Sequence, residues 1–395
     1  MIYLDHAATT KPGPGVLEIM SKTAEGFFGN PSSVHTMGTS AKKIINQAKK
    51  TIAATLEAQD SEICITSGGT EGNNLCIKMA VLPYLGVGRT SAPHIVTTAV
   101  EHPSVLESVK VMERLGAKVT RVMPGRDGCI SARDVLDAVT PDTVLVSVMM
   151  ANNEVGTVMP VDEIGPALRQ LPYNSFGHRI LFHVDGVQAY GQIPVSVKQW
   201  DIDLFTASAH KFYGPKGIGF LYRKDDVVLE ALLSGGGQES GLRSGTENVP
   251  AVAGMEAAVT NAFADMQQRF ERENALCEAL LGGLRENVPG LIVNGREKGK
   301  KHLPGTLNVS VPGIGGETML VWLDMAGICI STGSACAAGK KEPSYVLTSM
   351  GVSPELADCS LRFSLGRETT RQEIDETVRT VTETVRKLSA ILGTN

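Results

Sequence analysis

The chain has 395 residues, 42% of them hydrophobic and 20% charged, with a formal net charge of −5. That balance fits a globular protein of about two domains and argues against a nucleic-acid or anionic-membrane surface. No apolar run reaches ~18 residues, and the start, MIYLDHAATTKPGPG, lacks the basic-then-apolar pattern of a leader, so a cytoplasmic protein without membrane contact is expected.

From about residue 60 to 225, short apolar runs alternate with helix-like stretches. In chain order the runs are SEICITS, PHIVTTAV, AKVTRVM, TVLVSVMM, RILFHVD, DLFTAS and GIGFLYR. Near-continuous apolar strands alternating with helices predict an α/β domain with a mainly parallel sheet covered on both faces. A long helix is expected over residues 247–287. After it, GLIVNG, GTLNVSVPG, ICISTGS and LRFSLGR, with a helix at GGETMLVWLDMAG and another from about Arg371, predict a smaller α+β domain. We place the large domain at 15–258 and the small one at 1–14 plus 259–395.

Ligands of open parallel sheets bind where strands end at their carboxyl side. The residues following the runs are therefore informative. EICITS is followed by Gly68, Gly69 and Thr70, a helix start that can hold a phosphate through free N–H groups and the helix dipole, or be a plain cap. HIVTTAV is followed by Glu101 and His102. TVLVSVMMA is followed by Asn152, Asn153 and Glu154. ILFHVD ends at Asp185, with Gln188 close by, and DLFTAS ends at Ser208, followed by His210 and Lys211. Any one of these has a bland reading as a cap or a solvated loop charge. Five polar groups at five strand ends together match one ligand, pyridoxal phosphate. A lysine can attach it covalently, a carboxylate can keep its ring nitrogen protonated, a histidine can stack on the ring, and a glycine/threonine helix start can anchor the phosphate. The first-strand G-x-G-x-x-G of a dinucleotide site is not found there.

The seven cysteines, at 64, 76, 129, 277, 329, 336 and 359, have no C-x-x-C spacing, so no metal cage is expected and the thiols should be free. Most read as small buried hydrophobes. Cys336 differs. It lies in STGSACAAGKK, a run of small residues beside Lys340 and Lys341. Nearby positive charge favours thiolate, and a fall of about one unit from ~8.5 would raise the thiolate fraction near neutral pH from roughly a tenth to a half. We expect a mobile loop at about 331–343 that can carry its thiol through some ~20 Å.

At this point the sequence resembles the cysteine desulfurases, the NifS/IscS branch of the class V aminotransferase superfamily. The resemblance rests on YLDHAATT, FGNPSSVH, TSGGTEGNNL, EHPSV, ANNEVGT, HVDGVQ, SAHKFYGPKGIG, GGGQESGLRSGTENV, STGSACAAGKKEPSYVL and LRFSLGR, which span nearly the whole chain. It implies an aspartate-aminotransferase-like fold (fold type I) and pyridoxal 5'-phosphate as cofactor. It also implies that Lys211 carries the cofactor and acts as base, that His102 stacks on the ring and shuttles a proton, and that Asp185 pairs with the ring nitrogen. Gln188 and Asn153 would bond the ring oxygen or substrate side. Gly69, Thr70, Ser208 and His210 would hold the phosphate, with Thr246 reaching in from the partner of a homodimer. Arg362 would bind the substrate carboxylate, with Asn30 near it, and Cys336 would accept the sulfur of L-cysteine as a persulfide, leaving L-alanine. The sulfur would pass to an acceptor protein such as an iron–sulfur scaffold or a thiolation factor. Selenocysteine lyase and small-amino-acid aminotransferase are the enzymatic alternatives, and a non-catalytic sulfur-relay subunit the non-enzymatic one. His6 departs from the Tyr or Asn of the family, PYLGVGRTSAP and LPYNSFGHR read as modest insertions, and the segment after the last helix is shorter than the scaffold-docking tail of IscS-type members.

Overall fold

The computed structural model describes residues 1–86, 91–297, 299–332 and 343–393. Its strands are β1 (Ile2–Tyr3), β2 (Ile63–Thr66), β3 (His94–Thr98), β4 (Lys118–Val122), β5 (Thr143–Met149), β6 (Leu181–Asp185), β7 (Leu204–Ser208), β8 (Gly219–Arg223), β9 (Ile292–Asn294), β10 (Thr306–Ser310), β11 (Ile328–Cys329) and β12 (Ser360–Ser364). All seven apolar runs of the first half form one sheet, in the order β2-β8-β7-β6-β5-β3-β4. The pairs β7–β6, β6–β5, β5–β3 and β3–β4 are parallel, and β8 runs antiparallel between β2 and β7. This is the mainly parallel α/β sheet expected. Every residue of β5 is buried, because helices cover both faces of a central parallel strand. At the sheet edge, β4 is partly exposed.

Aligned register brings the site together. Met149 lies opposite Asp185, Asp185 opposite Thr206, and Ser208 opposite Gly219. Neighbouring strand ends therefore sit about one strand spacing, ~4.8 Å, apart. A second apolar core joins Leu4 to residues of Met266–Asn287, β10, β12 and Arg371–Leu392. Here β12, β10 and β9 form an antiparallel sheet, and β1 pairs in parallel with β11.

One prediction needs correcting. The helix expected over 247–287 is two helices, Val249–Ala264 and Met266–Asn287. Asp265 leaves the helical region (φ −129°, ψ 17°), and its carboxylate instead accepts bonds from Arg269 (2.9 Å) and Arg367 (2.8 Å). Among the described residues no helix is long and apolar enough to cross a membrane.

Candidate active site

A cavity of about 480 Å³ opens at the carboxyl ends of the parallel strands. It is lined by Gly69, Thr70, His102, Asn153, Asp185, Gln188, Ser208, His210 and Lys211, that is, by nine of the residues singled out from sequence. A larger cavity of about 730 Å³, bounded by Met159, Trp200, Phe270 and Arg296, contains none of them. Chemistry rather than size identifies the site.

Asp185 ends β6 and is 4% exposed. Its Oδ2 accepts from Asn73 Nδ2 at 2.7 Å and its Oδ1 from the Val187 N–H at 3.0 Å, so the carboxylate is fixed and has its charge partly satisfied. Asn73 also donates to Ser104 Oγ (2.9 Å), which lies 2.8 Å from His102 Nδ1. The acid and the histidine are thus two ends of one hydrogen-bonded chain. His102 caps the helix Pro103–Arg114, its Nδ1 accepting the Ser104 N–H at 3.1 Å. Burial lowers the imidazole pKa, and the positive charge of Lys211 lowers it too, against the opposing pull of Asp185. At neutral pH the ring is uncharged, with its proton on Nε2.

Beneath His102 lies a second buried acid. Glu101 Oε1 accepts from Thr98 Oγ1 (2.8 Å) and the Met149 N–H (2.7 Å), while burial pushes its carboxyl up to about 8. Asn152 shapes the neighbouring turn, its Oδ1 accepting the N–H groups of Glu154 (2.8 Å) and Val155 (3.0 Å). That turn presents Asn153, whose buried Oδ1 has no hydrogen-bond partner among the described residues.

Lys211 ends a 3-10 turn directly after β7. Its Nζ donates to the carbonyls of Ala7 (2.6 Å) and Ala8 (2.8 Å), and Gln188 Nε2 donates to the same Ala7 carbonyl (3.0 Å). Thr9 Oγ1 lies 3.1 Å from His210 Nδ1, and Thr10 Oγ1 donates to the His210 carbonyl at 2.8 Å. The N-terminal segment is therefore a strap across the lysine turn. Burial first, then Lys211 and Lys216, lower the His210 pKa to about 4, which leaves that ring neutral.

At the opposite wall Gly68 (φ +145°) leads into the helix Gly69–Val81. Only glycine adopts that dihedral readily. A Cβ on Gly69 would sit 2.6 Å from Val187 Cγ2, so the helix start packs against the Asp185 turn as no larger residue could. The helix's first N–H groups, which lack intrahelical partners, border the cavity beside Thr70 and Ser208.

The remaining expected residues stand apart. Arg362 of β12 does not line the cavity. Its Nη2 donates to Asp5 Oδ1 (2.8 Å) and its Nη1 to the Asn153 carbonyl (3.0 Å). Asn30 and Thr246 are exposed, Asn30 using its Oδ1 to accept the Ser32 N–H at 2.9 Å. Cys336 lies outside the described residues. Of the other cysteines, Cys64, Cys76 and Cys277 are buried and burial raises their thiol pKa values, Cys277 to about 11, so they stay protonated. Sequence reasoning missed Asn73, Asp5 and the carbonyls of Ala7 and Ala8. Asn73 had a signal: it stands one helical turn after Gly69–Thr70, on the face the helix start turns to the site.

These residues fit pyridoxal phosphate. They provide a fixed carboxylate, a lysine, a neutral imidazole, a helix start with free N–H groups and an unsatisfied acceptor at Asn153, all around a space of cofactor size. Fold and site together define a pyridoxal-phosphate enzyme of fold type I. The family profile "Aminotransferase class-V" matches residues 2–377. "Cysteine desulfurase IscS" of Clostridium botulinum (strain Hall) is 41% identical over 374 residues, 95% of this chain and 91% of the relative. "Putative cysteine desulfurase IscS 1" of Bacillus subtilis (strain 168) is 42% identical, covering 98% of this chain and 99% of that protein. Among solved structures a "NIFS-LIKE PROTEIN" superposes with a TM-score of 0.89 at 34% identity, covering 98% and 99% of the two chains. Another, "SspA in complex with cysteine", is 36% identical with a TM-score of 0.78, covering 92% and 99%. The chain belongs to the class-V aminotransferase family, and within it to the cysteine desulfurases.

Proposed function

We propose that this chain takes sulfur from L-cysteine with Lys211 as attachment and proton-transfer residue, Asp185 as counter-charge of the cofactor ring nitrogen and Cys336 as sulfur acceptor. The observation that carries the reading is the meeting of Lys211, His102 and Asp185 on one cavity, with Asn73 and Ser104 wiring the acid to the histidine. The description of a solved relative in complex with cysteine supports the substrate.

Pyridoxal phosphate, when bound, supplies an electron-withdrawing ring that accommodates the electron pair left when the substrate loses its α-proton. Everything else falls to the chain. Lys211 Nζ, seated on two carbonyls, is the base for that proton. Asp185, held in place by two donors, would pair with the ring nitrogen. Thr70, Ser208 and the helix start at Gly69 would hold the phosphate, joined by neutral His210. His102, uncharged and protonated on Nε2, supplies a proton as the carbon–sulfur bond breaks. The Cys336 thiolate attacks the substrate sulfur. A sulfur–sulfur bond forms, a carbon–sulfur bond breaks, and protonation at carbon gives L-alanine.

Asp185→Asn is expected to retain cofactor but form alanine roughly 100-fold more slowly, because an amide cannot balance the charge of the ring nitrogen. Visible absorbance and an alanine assay check both halves. Wild-type rates would reduce Asp185 to a structural cap.

The reading extends to a homodimer in which Thr246 of one subunit completes the phosphate site of the other. Its support is the exposure of Thr246 and of the large apolar residues Phe28, Val34 and Val228, which a monomer would leave in water. The holoenzyme is expected to sediment as a dimer, and Thr246→Ala to lose cofactor faster on dialysis. A monomer with full cofactor content would end this part of the reading. We further assign residues 15–258 to the cofactor domain and 1–14 with 259–395 to the small domain; the separate core that Leu4 shares with residues beyond 275 supports the division, while Val259, Ala262, Leu303 and Val346 pack in the core of the large domain. The acceptor of the sulfur is a protein, either an iron–sulfur scaffold or a thiolation factor.

A further inference from the structure

Arg362 is 4% exposed in its side chain, and a guanidinium so deeply buried needs a counter-charge even without substrate. Two acids are near. Glu154 is fully buried and engaged by Ser344 Oγ at 2.5 Å, and burial pushes its carboxyl up to about 7, so it is a poor counter-ion at neutral pH. Asp5 makes the contact, Oδ1 to Nη2 at 2.8 Å.

The form of that contact matters. An arginine has five N–H donors and recognises a carboxylate best through two side by side. Asp5 engages Nη2 through one oxygen only, and the Asn153 carbonyl engages Nη1 at 3.0 Å. Nε is buried with no hydrogen-bond partner among the described residues. The guanidinium is thus steadied at both terminal nitrogens while donors remain for a second carboxylate. Asp5 is itself well fixed. Its backbone bridges to Ser364, two residues beyond Arg362 on β12, and its carbonyl accepts the N–H groups of Ala8 (3.1 Å) and Thr9 (3.4 Å). The flanking bonds, His6 N–H to the Ser364 carbonyl (3.2 Å) and Ser364 N–H to the Leu4 carbonyl (2.7 Å), stitch the two segments together.

Resting on the reading that Arg362 receives the α-carboxylate of L-cysteine, we propose that Asp5 is a positioning residue for substrate binding, holding the Arg362 guanidinium by one nitrogen and leaving a pair of N–H groups for that carboxylate. Asp5 does not compete with substrate, since a blocking carboxylate would occupy the paired donors itself. It touches neither substrate nor cofactor, and its effect passes through Arg362.

The test uses the holoenzyme and four variants: Asp5→Ala, Asp5→Asn, Arg362→Ala and the double Asp5→Ala/Arg362→Ala. Measured are KM and kcat for L-cysteine, the dissociation constant of the product L-alanine from its effect on the visible absorbance, cofactor content, and melting temperature. Asp5→Ala should raise KM and the alanine dissociation constant roughly tenfold or more, as loss of a charge-assisted bond would. Its kcat should stay within about twofold of wild type, the signature of a binding loss shared by ground and transition states. Asp5→Asn, which keeps an acceptor of the same shape but not the counter-charge, should give a loss of alanine binding smaller than that of Asp5→Ala, with kcat again within about twofold of wild type. In the Arg362→Ala background the Asp5→Ala change should add nothing to the alanine dissociation constant.

If Arg362→Ala weakens alanine binding and neither Asp5 variant does, the inference falls and the reading of Arg362 stands. If Arg362→Ala has no effect, the reading itself falls and takes the inference with it. Tighter alanine binding in either Asp5 variant would make Asp5 a competitor and overturn the proposal. A loss of cofactor and melting temperature without a selective loss of alanine binding would overturn it too, by making Asp5 merely structural.

Discussion

Lys211→Ala is expected to abolish alanine formation, by at least ~10³-fold or about 4 kcal/mol of transition-state stabilisation, and to remove the visible absorbance of the purified protein. The expectation follows from the position of the side chain. Lys211 lies just after β7, the neighbour of the central strand β6, and its Nζ donates to the carbonyls of Ala7 and Ala8 beside the cavity that Asp185 and His102 also line. Among the described residues the other lysine lining the cavity, Lys216, lies on the exposed turn before β8. Truncation to alanine creates no apolar void, since the amine sits in polar surroundings, so the fold should survive. The check is an absorbance spectrum, a circular-dichroism melt and an alanine assay on one preparation. Undiminished alanine from a folded variant would overturn the assignment of the site.

The second large effect is expected at Cys336. Cys336→Ala should bind cofactor and L-cysteine normally, with the spectral response to substrate intact, because in the proposed mechanism the thiol acts only after the α-proton has left. It should form no persulfide, and alanine should fall by roughly two orders of magnitude or more in the absence of added thiol acceptors, as for loss of a nucleophile. Mass spectrometry after a pulse of L-cysteine should find one added sulfur on the wild-type peptide containing Cys336 and none in the variant. The controls are Cys64 and Cys277. Both are buried thiols whose ionisation burial opposes, so replacing them should cost stability and leave the sulfur where it was. Sulfur found on one of these, or alanine made at the wild-type rate without Cys336, would refute the proposed mechanism while leaving the cofactor assignment intact.

What could be read from the sequence follows the range of the forces involved. Each of the seven apolar runs became a strand because a strand's apolar pattern is specified locally, by its own side chains, even at the partly exposed edge strand β4. The polar residue that follows a strand is equally local, which is why Asp185, His102 and Lys211 could be named before their geometry was known. The strand order was not accessible, nor was the reversal of β8 between β2 and β7, since pairing partners are chosen across the chain. The break at Asp265 was hidden because the cause, Arg367, lies about a hundred residues away in sequence. The Ala7 and Ala8 carbonyls were beyond reach for another reason: every residue has a carbonyl, and its use leaves no trace in residue type. Asp5 was overlooked because an acid near a chain start reads as solvated until its partner on β12 is seen.

The strap formed by Leu4 to Thr10 has a consequence for how the protein is made. Their partners lie far along the sequence: His210 and Lys211 about two hundred residues on, then Cys329 and Ser364 more than three hundred residues on. The central sheet can be complete while the seat of the lysine is still open, because ordering the strap requires closing loops of some two hundred to more than three hundred residues. Catalytic competence should therefore appear as one of the last events of folding, lagging behind the circular-dichroism signal of the sheet. Met1 is 98% exposed, so a purification tag can be joined there without burial, but only six residues then separate it from the first carbonyl that holds Lys211. A tag at that end loads the active site directly.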